Sequence, residues 1–191
     1  MPTKTMSFSQ FLKRMQFGRL YPILQSLKGK KCWKAEFTYG GEMCLHFGAR
    51  VPYANPKMAG KSKGAWILGT CGTPWHIVTP CGSLSSENGS EQEPAPQIKG
   101  LEGSTVANVG VSVPDGALTI VFTNRCRFLV TPGPRDRRYD LPYWELFLPD
   151  HGYLALGGEN KWSYSRSNVP PRRQPRSPRR KAPLRGAVRR A

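Results

Sequence analysis

Cysteine and histidine are the residues of this chain best suited to binding a metal, and one short stretch holds three of them. Cys71, His76 and Cys81 follow one another as Cys-x4-His-x4-Cys. A structural zinc site normally uses four ligands, with closely spaced Cys-x2–4-Cys pairs. This stretch has no such pair, and Cys126 or His46 would have to complete the set from elsewhere in the fold. The spacing therefore favours small buried thiols and a surface imidazole, and we predict neither a metal nor a cofactor.

Covalent catalysis needs a nucleophile held beside a base. Residues 60–64 match Gly-x-Ser-x-Gly in residue type, but we predict no nucleophile elbow, which requires a strand-to-helix turn. The flanked catalytic Cys motifs are absent. The Gly-Leu-Glu-Gly loop at 100–103 lacks the Lys-Ser/Thr ending of a phosphate-binding loop. Glu145 is expected on the outward face of a strand, and Asp150 in a turn after Pro149. The sequence therefore predicts a protein that is not an enzyme and has no catalytic residues.

The strongest chemical signal is the basic tail, residues 165–191. Its arginines alternate with prolines, which block helix and sheet, and its like charges repel one another. We predict a disordered segment that holds phosphates electrostatically, with steep salt dependence and without base stacking. The residues expected to bind polyanions are Arg172, Arg173, Arg176, Arg179, Arg180, Lys181, Arg185, Arg189 and Arg190. Two alternatives stay open: the tail is merely solvated, or it is the product of a shifted or extended reading frame in a GC-rich gene.

The net charge of +17 is concentrated at the two ends of the chain. Residues 1–34 carry eight basic and no acidic side chains, and residues 163–191 carry ten basic and no acidic ones. Residues 35–162 carry eleven basic and twelve acidic side chains. A nearly neutral middle argues against a basic folded face and favours loose contact with a polyanion through the tail.

The compartment is predicted from the cysteines and from the absence of targeting segments. The five cysteines are odd in number and widely spaced. The first eighteen residues are polar and basic, without the apolar core of a secretory signal. No window approaches the ~18 apolar residues that a membrane-spanning helix requires. These features predict a cytoplasmic protein with free thiols and no membrane span.

The most informative feature is an internal repeat of alternating, strand-like segments. The first copy runs from Leu27 through a Gly-Gly turn to Phe47, and the second from Leu101 through an Asp-Gly turn to Phe122. Phe47 lies 20 positions after Leu27, and Phe122 lies 21 positions after Leu101. Each copy continues to a Trp followed five positions later by a Pro, and then to a Glu-Asn pair. Period-two alternation around such turns is typical of β-hairpins, so each copy is expected to be a hairpin followed by one or two further strands.

This pattern predicts a mainly β fold of two related antiparallel sheet units, an internal duplication. Ahead of them, Phe8, Phe11, Leu12 and Met15 have the spacing of a short amphipathic helix that would cover the sheet, which is favoured over a membrane-surface helix. The predicted segments are the N-terminal helix at 1–19, the first β unit at 20–82, a linker at 83–100, the second β unit at 101–164 and the disordered tail at 165–191.

Two stretches carry a resemblance to a known group of proteins. Gly-Ala-Trp-Ile-Leu at 64–68 followed by Gly-Thr-Pro-Trp-His-Ile at 72–77, and Tyr-Trp-Glu-Leu-Phe-Leu-Pro-Asp-His-Gly at 143–152, resemble elements of uncharacterised bacterial β-rich proteins. Some members of that group look like immunity or accessory proteins encoded beside toxins. His76 stands where members often have Arg, and His151 interrupts the usual Pro-Asp-Gly turn. The resemblance implies a non-catalytic scaffold that binds another protein.

The leading functional hypothesis is a protein–protein interaction module, immunity-like, that acts by occluding an unidentified protein partner. Exposed members of the set Trp66, Trp75, Trp144 and Trp162 are the expected anchors, because Trp is enriched at the energetic centres of interfaces. The alternative is a nucleic-acid-associated accessory protein tethered through its Arg/Pro-rich tail. A third hypothesis, an unrecognised hydrolase, would need a pocket that holds His76 or His151 beside carboxylates.

Overall fold

The structure is a computed structural model that describes residue 18 and residues 20–87, 96–112, 115–133, 141–157 and 161–166. Almost all of the predicted N-terminal helix (1–19) and of the basic tail lies outside the described residues, including every tail residue expected to bind polyanions. Two short helices, α1 (Leu20–Gln25) and α2 (Pro96–Lys99), are present among the residues described. None of the described helices is long and apolar enough to cross a membrane.

The fold is mainly β, as predicted, and consists of two antiparallel sheets. The described strands are β1 (Cys32–Thr38), β2 (Glu42–Pro52), β3 (Ser62–Thr70), β4 (Trp75–Thr79), β5 (Gly82–Ser85), β6 (Val106–Val111), β7 (Leu118–Phe122), β8 (Arg127–Val130), β9 (Trp144–Phe147), β10 (Gly152–Leu156) and β11 (Trp162–Arg166). A six-stranded sheet has the order β1-β2-β3-β9-β10-β11, and a five-stranded sheet has the order β5-β4-β8-β7-β6. The segment predicted as a linker therefore begins within β5 and includes α2.

Alternation of apolar and polar residues places one face of each sheet in a shared core. In β7, Leu118, Ile120 and Phe122 are buried, whereas the intervening Thr119 and Val121 are half-buried. Such alternation is what a strand with one face against a core requires. Phe122 stacks on Phe47 of the other sheet, with ring centroids 6.5 Å apart. The two inner faces therefore pack against each other as a sandwich.

Each half of the chain contributes strands to both sheets. β1, β2 and β3 form a meander in the six-stranded sheet, but the following β4–β5 hairpin joins the five-stranded sheet, where β4 pairs with β8. β6, β7 and β8 form a meander in the five-stranded sheet, and the following β9–β10 hairpin joins the six-stranded sheet, where β9 pairs with β3. The two sheets are therefore completed by an exchange of hairpins between the halves.

The β1–β2 and β6–β7 hairpins have the same register, including a shift at the same place. The ladder begins at Cys32↔Phe47 in one hairpin and at Val106↔Phe122 in the other, and each skips one residue immediately afterwards. Reciprocal backbone hydrogen bonds join the starts of the two hairpins around an isolated bridge between Lys31 and Thr105. These bonds are Gly29 N to Val106 O, Gly103 N to Cys32 O, Cys32 N to Ser104 O and Val106 N to Lys30 O, at 2.7–2.9 Å.

Two tryptophans occupy matching positions where the exchanged hairpins begin. The indole N–H of Trp75 donates to Gly41 O at 2.9 Å, and the indole N–H of Trp144 donates to Gly116 O at 3.2 Å. Trp75 is 1% exposed and Trp144 is 0% exposed. Trp75 and Trp144 are therefore not among the exposed tryptophans expected to anchor a partner, because a side chain buried within its own core presents no surface to one.

Candidate functional site

A cluster of titratable side chains lies on the outward face of the six-stranded sheet. Glu36 on β1 pairs directly with Cys44 on β2, and His46 lies two residues further along β2 on the same face. His46 Nε2 lies 3.2 Å from Glu36 Oε1 and 3.4 Å from Cys44 Sγ. His46 is only 2% exposed although it points away from the core, and its ring contacts that of Trp33 with centroids 5.4 Å apart. Two of its members, Cys44 and His46, have shifted pKa values.

The tautomer of His46 follows from a backbone hydrogen bond. Gly64 N donates to His46 Nδ1 at 2.9 Å, so Nδ1 must be the unprotonated nitrogen. In a neutral imidazole the proton then resides on Nε2. The Nε2–H group therefore donates to the Glu36 carboxylate, and its lone pair is not available to Cys44.

This tautomer opposes metal binding at the cluster. Glu36, Cys44 and His46 place their donor atoms within 4.8 Å of one another, a suitable separation for a shared ion. A metal at Nε2 would displace its hydrogen while Nδ1 still accepts from Gly64, which leaves an imidazolate rather than the neutral imidazole that metals normally use. The earlier candidates Cys71, His76 and Cys81 belong to no group with this geometry among the described residues.

Cys44 is also unsuited to act as a nucleophile. Burial raises the pKa of the Cys44 thiol to about 12, and the nearby Glu36 carboxylate adds to the rise. The reactive form of cysteine is the thiolate, which a neighbouring base or cation normally stabilises. His46 presents a hydrogen to the sulfur and cannot take its proton. The cluster is therefore a hydrogen-bonded network that holds β1, β2 and β3 together, with Gly64 fixed by His46.

The sandwich itself does not require these three side chains. By strand order and register, the paired residues Glu36 and Cys44 correspond to Gly110 and Thr119 in the five-stranded sheet. His46 corresponds in the same way to Val121. The five-stranded sheet therefore forms an equivalent ladder without the polar network, so the network serves a purpose specific to the six-stranded sheet.

The buried imidazole gives the protein a predicted pH dependence. Burial lowers the pKa of His46 below its ordinary value of 6.5, although Glu36 opposes the shift. An unfolded chain then binds a proton below pH 6.5 that the folded chain does not, so the free energy of unfolding falls as the pH is lowered. We expect wild type to lose more of this free energy than His46→Gln between pH 7.5 and 5.5, measured by urea denaturation. His76→Gln, at an exposed site, is the control, and equal losses in wild type and His46→Gln would contradict the assignment.

A two-stranded ribbon extends beyond the six-stranded sheet next to this cluster. β2 and β3 continue past their neighbours, so Arg50, Val51 and Pro52 pair with Gly64, Lys63 and Ser62 and with no third strand in the described chain. A loop with a 3-10 turn at Pro56–Met58 closes the ribbon. We call residues 48–64 the basic ribbon, because they include Arg50, Lys57, Lys61 and Lys63 and no acidic residue.

Three cations at the ribbon and its base lie over aromatic rings. Arg50 Cζ is 4.6 Å from the Trp33 ring centroid, and Lys63 Nζ is 5.7 Å from that of Tyr53. At the base, Lys30 Nζ is 4.5 Å from the ring centroid of Trp66. Each such contact stabilises an exposed cation by about 0.5–1 kcal/mol and limits its freedom. The positive groups are therefore partly ordered before any ligand arrives.

The four predicted tryptophan anchors separate into two kinds. Trp75 and Trp144 belong to the core, as described above. Trp66 and Trp162 are half-buried and pack against the edge of the core. Trp66 Nε1 donates a hydrogen bond to Ser26 Oγ at 3.3 Å, so Lys30 covers a ring that is already tied to the turn after α1.

The basic ribbon was missed because charge was averaged over residues 35–162. No Asp or Glu occurs in residues 43–86, and that uninterrupted run is the signal that could have revealed it. The structure thus corrects the expectation that the folded body lacks a basic region.

Comparison of the chain with protein-family models, with curated proteins and with solved structures finds no match in any of the three.

Proposed function

We propose that this protein is a non-catalytic nucleic-acid-binding protein whose folded body contacts its ligand through the basic ribbon. The observation that carries the proposal is a paired, projecting ribbon that bears four cations and no carboxylate. Lys57 and Lys61 are exposed at its end, and Arg50 is exposed on its side. Phosphate groups are the natural partners of such a surface, because neutralising them releases condensed counterions.

A comparison with the second sheet supports a role beyond connecting strands. β7 and β8 correspond to β2 and β3 in strand order, yet residues 123–126 are enough to join them. A four-residue connection is ordinary for antiparallel neighbours. The much longer β2–β3 ribbon is therefore not needed to complete a sheet of this kind, and its charge is best explained by a ligand.

The polar cluster supports a non-catalytic role. Its thiol has a pKa of about 12, and its imidazole directs a proton rather than a lone pair toward that thiol. In the proposal, His46 instead orders the ribbon through Gly64. The basic tail would add sequence-independent contacts to phosphates. The five cysteines, all among the described residues, are thiols and form no disulfide, in keeping with a cytoplasmic location as part of the same proposal.

Neutralising the ribbon tests this function. We expect the variant Arg50→Gln, Lys57→Gln, Lys61→Gln, Lys63→Gln to bind nucleic acid more weakly and to reduce the slope of log affinity against log salt by about 3 to 4, at ~0.9 per lost phosphate contact. Fluorescence anisotropy of a labelled DNA duplex across a salt series measures both quantities. The matched control is Lys99→Gln, Arg125→Gln, Arg127→Gln, Lys161→Gln, which removes the same charge elsewhere.

Both variants are made in the full chain and again with the nine predicted tail residues changed to Gln. This second background removes the tail's own attraction for phosphates. Equal affinities and equal salt slopes for the ribbon and control variants would show that total charge, and not the ribbon, determines binding. That result would sink the proposal.

A second candidate function is the immunity-like module that occludes a protein partner. Trp66 and Trp162 favour it, because both remain partly exposed beside the core. Trp66→Ala combined with Trp162→Ala should then abolish capture of a single protein partner from the native host after nuclease treatment. Unchanged capture of that partner would exclude these two residues as anchors.

The resemblance between the two halves is best explained by internal duplication, which we also propose. Its support is the matched register of the hairpins, their reciprocal hydrogen bonds and the matched indole contacts of Trp75 and Trp144. A tandem chain of two copies of residues 20–92, a segment that contains β1 to β5, should then unfold cooperatively with a β-rich circular dichroism spectrum. A product without cooperative unfolding would weigh against the proposal.

A further inference from the structure

The basic ribbon has cations on both of its faces. Arg50 pairs with Gly64, and the next pair along the ribbon is Val51 with Lys63. Successive positions on a strand point to opposite faces. Arg50 and Lys63 therefore lie on opposite faces, each beside its own aromatic ring, Trp33 or Tyr53.

The end of the ribbon has a defined shape. Asn55 Oδ1 accepts a hydrogen bond from Lys57 N at 3.0 Å and caps the 3-10 turn. Tyr53 N donates to Lys61 O at 3.3 Å, which closes the loop above the last strand pair. Lys57 and Lys61 thus project from a structured end, between the two charged faces.

A ligand matched to this arrangement must offer negative charge on two sides at once. A flat anionic surface, such as a membrane or an acidic protein face, would engage one face and leave the other cation solvated. The groove of a duplex has a phosphate strand along each wall. Three strand pairs at ~3.4 Å per residue extend about 10 Å, and the loop at 53–61 adds to this length. The ribbon is therefore long enough to reach the floor of the major groove of B-DNA, which is ≈ 8.5 Å deep and wide enough for a two-stranded ribbon.

We propose, building on the nucleic-acid function above, that the basic ribbon inserts into the major groove of double-stranded DNA. Arg50 and Lys63 contact the phosphates of opposite strands, while Lys57 and Lys61 face the floor of the groove. The major groove of an RNA duplex is too narrow for a ribbon, so RNA duplexes are excluded as the preferred ligand.

The same side chains indicate binding without base sequence preference. Asn55 is the ribbon's one amide side chain, and its oxygen is occupied by the cap. Lysines act as point charges and adapt to many acceptor positions. Single strands are bound mainly through stacking of bases on open aromatic faces. Here Trp33, Tyr53 and Trp66 each have a cation over the ring, so stacking would first have to displace it.

The test compares three probes of equal length and mixed sequence: a DNA duplex, a DNA single strand and an RNA duplex. The full-length protein, the ribbon variant and the charge-matched control are measured by anisotropy at one salt concentration. We expect the ribbon variant to lose about tenfold or more in affinity for the DNA duplex, and distinctly less for the other two probes. Near-ultraviolet circular dichroism verifies that each variant is folded.

Methylation protection provides a second, independent readout. Guanine N7 lies in the major groove, so an inserted ribbon should protect it from dimethyl sulfate, and the ribbon variant should not. If the ribbon variant loses the same affinity for all three probes, or loses most for the single strand, groove insertion is overturned but the proposed nucleic-acid binding is not. No ribbon-dependent loss on any probe overturns both the insertion and the proposed function.

Discussion

Replacing Trp144 by alanine is expected to lower the free energy of unfolding by about 3–5 kcal/mol, the range for removing a fully buried aromatic side chain. Trp144 is 0% exposed at the start of β9, within the core between the two sheets. The substitution opens a cavity and also leaves the Gly116 carbonyl without the indole donor. Urea denaturation followed by circular dichroism measures the loss.

Two further substitutions separate the causes of this effect. Trp144→Phe fills most of the cavity but removes the N–H donor, so its loss should be about 1–3 kcal/mol, the cost of an unsatisfied buried acceptor. Trp162→Ala, at a half-buried site on edge strand β11, should cost less than Trp144→Ala. Equal losses at the two tryptophans would contradict the central position given to Trp144.

Gly64→Ala is expected to destabilise the protein by at least about 2 kcal/mol, toward the upper end of overpacking penalties. A Cβ at this position would lie 2.5 Å from Trp66 O and 2.7 Å from Phe47 N, both backbone atoms. The two strands would have to separate where the basic ribbon leaves the sheet. The hydrogen bond from Gly64 N to His46 Nδ1 would be disturbed by the same movement.

Gly110→Ala is the matched control, because Gly110 also lies within a strand but nothing is within 4 Å of its Cβ position. This change should leave stability unaltered or raise it by up to about 1 kcal/mol, because alanine restricts the unfolded chain. Thermal unfolding of the two variants gives the comparison. If both variants unfolded at the same temperature, the tight packing at Gly64 would be refuted.

Local structure was largely predictable from the sequence. Alternation in β7 and the Gly-Gly and Asp-Gly turns identified the hairpins, because a strand with one buried face must alternate. The repeated Trp75 and Trp144 are predictable as equivalent apolar anchors, but whether each anchors the core or a partner is not. A Trp that recurs in a repeat can anchor a core or a partner, and only the packing of the second sheet distinguishes these two roles.

The arrangement of the strands was not predictable in the same way. The pairing of β4 with β8 and of β9 with β3 joins residues far apart in sequence, and no local pattern encodes such partners. The polar cluster was easier to predict from the sequence. Cys44 and His46 are two residues apart and so lie on one face of β2, and the position of the hairpin turn places Glu36 opposite Cys44. Predicting the basic ribbon would have required counting the charged residues within 43–86 alone, rather than over all of residues 35–162.

The exchange of hairpins also sets an order of events on the ribosome. β3 needs β9 and β4 needs β8, so a chain that has grown only as far as β5 carries two strand edges whose partners have not yet been made. β10 is completed about 70 residues after β5, which at roughly 5–20 residues per second corresponds to about 4–14 s of synthesis. During that interval the nascent first half is exposed to pairing with neighbouring nascent chains, and arrival of the second half ends the exposure.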